Sequence, residues 1–113
     1  MREETKALRA SLRRGAFVRS NGEVLRIINI LRTDYVRLAD VQSVLEGKGV
    51  ELDEFCDSVN YLSLEGYIQL RRVEGHGMVP DIADADWKEL EGKVSAKGIK
   101  LLAGSIRDEL VEV

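Results

Sequence analysis

Residues 51–73 read ELDEFCDSVNYLSLEGYIQLRRV, and the hydrophobic period changes partway along them. Leu52, Phe55, Cys56, Val59 and Leu62 recur three and four apart, which predicts a helix over 52–65 with one apolar stripe. Gly66 stops that helix, because glycine tolerates the left-handed backbone of a C-cap. Tyr67 to Val73 then alternates, with Ile68 and Leu70 on one face and Gln69 and Arg71 on the other, as a strand does. Cys56 reads as a small core residue, and Tyr67 as packing at the corner between helix and strand.

Upstream, Leu38 to Glu46 has Leu38, Val41, Val44 and Leu45 at helical spacing. Gly47-Lys48-Gly49 makes a tight turn and Val50 plugs the joint, so 38–65 carries two helices joined through a glycine turn. Tyr35-Val36-Arg37 is expected as a short strand before them. Ser20 to Glu23 matches a capping box that opens a helix reaching about Arg32, with Val24, Ile27, Ile28 and Leu31 inward. A separate helix over 3–14 is expected to end at Gly15. Its Leu8 and Leu12 face the core or a partner chain. Arg2, Lys6, Arg9 and Arg13 line one side, as a solvated face or as an arm for phosphates or an acidic partner.

Downstream, Gly75, Gly77 and Pro80 mark an exposed connection over 74–86. Trp87 to Ser95 returns as the second strand of a hairpin, with Leu90 and Val94 inward, unless Ala85 to Leu90 first makes one helical turn. Ser95 caps a helix containing Ile99, Leu101 and Leu102, which ends at Gly104. The tail, 105–113, is expected to fray or to pack on another chain. The resulting fold class is α+β: a winged helix-turn-helix with an additional N-terminal helix and a C-terminal helix. The organisation is one domain over 1–113, with an arm at 1–15, a core at 20–104 and the tail.

Tyr61-Leu62 followed by Glu65-Gly66-Tyr67-Ile68 resembles the corner between recognition helix and wing in winged-helix regulators. Ser95-Ala96-Lys97-Gly98-Ile99 resembles the step after their second wing strand. With Leu101 to Ile106 the pattern over 20–106 is similar to the small winged-helix proteins of Mu-like phages and prophages. The tail departs from that family, reading Arg107-Asp108-Glu109-Leu110 in place of a proline-glycine-isoleucine step. The resemblance implies a dimeric, prophage-associated transcription regulator that binds duplex DNA through its third helix and wing. Asn60 would pair with adenine, Ser58 with a base edge or phosphate, and Tyr61 with phosphate, while Lys48, Arg71 and Arg72 supply positive charge.

Charge runs partly against that expectation. The net charge is −3, but residues 1–37 sum to +5, 38–66 to −6 and 67–113 to −2. Asp53, Glu54 and Asp57 sit where a recognition helix would meet a polyanion. The alternative is a protein-docking module whose partner is acidic or basic, including a homodimer in which the basic arm of one chain meets the acidic face of the other. Other classes fit poorly. With 44% hydrophobic and 33% charged residues the chain is neither disordered nor membrane-spanning, and its N-terminus lacks an apolar secretory core, so a cytoplasmic location is expected. One cysteine and one histidine supply no disulfide and no ordinary zinc site. No glycine run has phosphate-loop spacing, and His76 reads as a solvated loop residue, so no enzyme activity, cofactor or metal is expected.

Overall fold

The computed structural model describes residues 2–113, and among them it holds four α-helices and a three-stranded antiparallel sheet. Helix α1 runs unbroken from Glu3 to Ile28, which overturns the expected break at Gly15 and cap at Ser20. A helical glycine costs only about 1 kcal/mol relative to alanine, too little to end a helix held at one end by packing. That packing lies at Ser20 to Ile28, where Ser20, Asn21, Gly22, Val24, Leu25 and Ile28 are buried. Ser20 cannot cap because its hydroxyl is engaged elsewhere, 2.7 Å from the hydroxyl of Ser58. A 3-10 turn, Asn29–Leu31, follows, and it leaves Leu31 exposed rather than inward, beside exposed Ile30.

Strand β1 (Val36–Arg37) leads into α2 (Leu38–Glu46) and α3 (Leu52–Leu64). Leu38, Val41 and Leu45 are buried as expected, whereas Val44 and Leu52 face solvent at the edges of their stripes. The turn between the helices depends on Gly49, whose φ of 87° lets the Val50 N–H reach back to the Leu45 carbonyl. Gly66 does the same for α3: its φ is 82°, and the Tyr67 N–H bonds to the Leu62 carbonyl at 2.9 Å.

Strands β2 (Ile68–Arg72) and β3 (Leu90–Val94) pair antiparallel, Ile68 opposite Val94 and Arg72 opposite Leu90. β1 joins the other side of β3, so the sheet order is β1-β3-β2. Residues 82–84 and 87–89 of the long connection form 3-10 turns, capped by the carboxylates of Asp81 and Asp86. The second turn shortens the strand expected from Trp87, whose ring instead packs edge-on against buried Phe55 at 5.4 Å. Helix α4 (Ala96–Leu102) starts as read, the Ser95 hydroxyl accepting from the Gly98 N–H. The core joins α1, α2 and α3 to the inner sheet face through Leu25, Ile28, Leu45, Phe55, Leu62 and Leu70.

The tail neither frays nor leaves the chain: it crosses the buried half of α1. The Asn21 amide donates to the Leu110 carbonyl at 2.8 Å, Arg26 donates to the Glu112 carbonyl, and Val111 is buried. A Cβ on Gly22 would come within 1.7 Å of the Glu112 carbonyl oxygen, so the crossing needs glycine there.

Two alanine substitutions should therefore move stability in opposite directions. Gly15→Ala meets nothing closer than an Arg19 guanidinium nitrogen at 3.4 Å, and should stabilise the protein by up to about 1 kcal/mol. Gly98→Ala would press a Cβ to 2.2 Å from the Tyr67 carbonyl and should cost about 1–3 kcal/mol. Urea denaturation at pH 7 measures both, and a destabilising Gly15→Ala would contradict the continuous helix.

Candidate functional site

Helix α3 carries most of the residues expected to meet a ligand, so its surroundings decide what is available. Its first turn is acidic for a local reason: carboxylates at a helix N-terminus offset the positive end of the dipole. The Glu54 carboxylate accepts the Glu51 N–H at 3.1 Å, and that of Asp53 accepts the Glu54 N–H. Asp57, one turn on, makes no such bond and is exposed. α1 packs along one flank, leaving a groove bordered by Arg13, Ala16, Phe17, Asp53, Glu54 and Asp57.

Of the six residues predicted to touch DNA, three are committed inside the protein. Ser58 has no accessible surface and shares its hydroxyl contact with Ser20, which corrects its placement on the outward face. Tyr61 is half-buried, its ring edge-on to Phe17 at 5.5 Å and its hydroxyl donating to Asp108 at 2.6 Å, so the expected phosphate contact is corrected too. Arg71 is bonded through Nε to Glu91, which is itself nearly buried, and its guanidinium lies 3.6 Å from the centre of the Tyr35 ring. Its charge is largely spent within the fold.

The other three remain reachable but are not gathered. Lys48 stands in the turn after α2, exposed, with Nζ 3.9 Å from a Glu23 carboxylate. Asn60 is half-buried midway along α3. Arg72 sits on β2, 3.9 Å from Glu89, at a separation where an exposed pair contributes little. From Leu38 to Leu64, α2, α3 and the turn between them expose Asp40, Glu46, Glu51, Asp53 and Asp57 against Lys48 alone.

Sequence reasoning missed Asp108. Its carboxylate accepts from Tyr61 at 2.6 Å and from Tyr67 at 2.7 Å, and also from the Leu110 N–H, tying the tail to α3 and to the start of β2. Burial acts to raise its pKa, but the two tyrosine hydroxyls, the Leu110 N–H and nearby Lys97 together hold it below the ordinary carboxylate value. Both phenols are pushed up, first by burial and then by the bond to Asp108. No local signal could have found this trio, since its members lie 41 and 47 residues apart in the chain.

Burial, then Asp57 and Asp53, also raises the Cys56 pKa, so the thiol stays protonated and is a weak nucleophile. Among the described residues no group of three or more His, Cys, Asp or Glu is placed to hold a metal ion. None of their helices is long and apolar enough to cross a membrane.

Unpaired charge is the remaining feature of the surface. Among the described residues, Arg2 just before α1 and Lys6, Arg9, Arg13 and Arg19 on it form no ion pair, and neither do Asp53 and Asp57 on α3. No protein-family model, curated protein or solved structure matches the chain.

The Asp108 bonds set a pH window for the tail. A depressed carboxylate stabilises the fold above its unfolded pKa of about 3.9 and loses that contribution as pH falls through the folded value. Raised phenols contribute below their unfolded pKa of about 10 and lose it as pH rises through the folded value. Asp108→Asn should therefore cost about 1–3 kcal/mol at pH 7, with a smaller gap from wild type at pH 3. Denaturation curves at the two pH values test this; an equal gap at both would show that ionised Asp108 is not the acceptor.

Proposed function

We propose that the chain is a winged helix-turn-helix used as a protein-docking module, with the acidic helix-turn-helix surface as the docking face. The order of helices and strands, the Gly49 turn between α2 and α3, and a β2–β3 hairpin with a long connection support the winged-helix reading. The observation that carries the docking role is electrostatic. The face that would enter a major groove exposes Asp53 and Asp57 without paired cations, while Ser58, Tyr61 and Arg71 are held by other residues of the chain. Carboxylates facing phosphates repel, whereas the same carboxylates steer and orient a basic protein surface.

A second reading keeps the regulator of duplex DNA implied by the resemblance to phage winged-helix proteins. Exposed Lys48 and Arg72, with Asn60 between them in sequence, favour it. Titration of a labelled 20–30 base-pair duplex separates the two readings. The docking reading predicts no saturable binding even at about 20 mM salt. Saturable binding whose logarithm falls steeply with log salt would establish the DNA reading instead.

A further inference from the structure

The first three turns of α1 have no tertiary cover. Residues 3–14 are all exposed, and their one ion pair to the rest of the chain is Arg14 with Glu109 at 3.7 Å. At 1.5 Å per residue this arm is about 18 Å long. Isolated helices of about 12 residues are marginal in water, so an arm of this length gains order by packing. Leu8 and Leu12, 60% and 63% exposed, sit four apart on one face, and that face continues through Gly15 to Arg19. Arg2, Lys6 and Arg9 lie along its flank without ion pairs, and Arg13 borders the groove to α3 of its own chain.

The geometry points to a second copy of this chain as what covers the arm. Two arms would cross antiparallel, Leu8 and Leu12 of each against the other, with Gly15 and Ala16 letting the helices approach closely. Lys6 and Arg2 on the basic flank of each arm would then face residues 14 and 18 of the opposite copy, beside its groove between α1 and α3, where Asp53 and Asp57 are unpaired. A two-fold axis makes each contact twice, so the arm and the acidic face are the two halves of one self-complementary patch. The inference rests on the docking reading and names its partner. The charges that oppose DNA at α3 attract the arm's own sequence.

Sedimentation equilibrium of the full chain at about 100 µM, at low and moderate salt, tests it. Wild type should be a dimer that weakens as salt rises. Arg2→Glu with Lys6→Glu should weaken it about tenfold or more, as should Asp53→Lys with Asp57→Lys, and the four together should restore most of the affinity. Leu8→Ser with Leu12→Ser, which touches no core residue, should also dissociate the dimer, with the urea midpoint of the core unchanged. A monomeric wild type, or a dimer indifferent to both charge reversals, overturns self-docking. A labelled, unrelated Lys/Arg-rich helical peptide distinguishes the two failures. If monomeric wild type binds it and the Asp53→Lys, Asp57→Lys variant does not, the acidic face docks proteins other than itself. If neither binds, the docking reading falls as well.

Discussion

The contact between Ser20 and Ser58 fixes much of this molecule. Two buried hydroxyls 2.7 Å apart join α1 to α3 at a point where larger side chains would hold the helices apart. Such a bond adds only about 1 kcal/mol net, but leaving either hydroxyl alone in the core would cost about 1–3 kcal/mol. The close approach also seats Phe17 against Tyr61, one turn before Ser20 on α1 and one turn after Ser58 on α3. With α3 held there, α1 has no reason to break at Gly15 and carries straight on past the body of the protein. The projecting arm and the loss of Ser58 as a surface group are thus consequences of one seam. The tail reinforces it from the far side of α1, through Asn21 and the bare backbone at Gly22.

Local signals in the sequence were strong where backbone chemistry alone decides. The bounds of α2, the stop at Gly66 and the Ser95 cap follow from glycine conformations and a hydroxyl acceptor, and they appear in the structure. Signals failed where a distant contact outweighed them. Ser20 with Glu23 has the form of a capping box, yet the Ser20 hydroxyl is engaged by a residue 38 positions away. Ser58 is polar at a helical position, which reads as outward until another serine is brought to it. Val44, Leu31 and Leu52 show the opposite error. Each extends an apolar stripe beyond the width that neighbouring structure can cover.

The candidate site was legible only in part, because segment charge does not reveal pairing. Arg71 counts as a free cation in the sequence and is bound by Glu91 on the neighbouring strand, opposite it in register. Asp53 and Glu54 count as obstacles to DNA, and they also cap their own helix. Among the charges left without ion pairs are a cationic arm at one end of α1 and carboxylates beside α1 on α3. That separation of opposite charges within one chain favours association between copies, and it explains why net charge near −3 says little about the partner.

The arm carries the central claim: an exposed helix that a second copy orders. Amide hydrogen exchange of residues 7–14, followed on the full chain at a dilute and a concentrated condition, tests that claim most directly. Slow exchange that appears only on concentration, while the core residues around Leu25 and Phe55 stay protected throughout, is the predicted result. Fast exchange of the arm at both concentrations would contradict it.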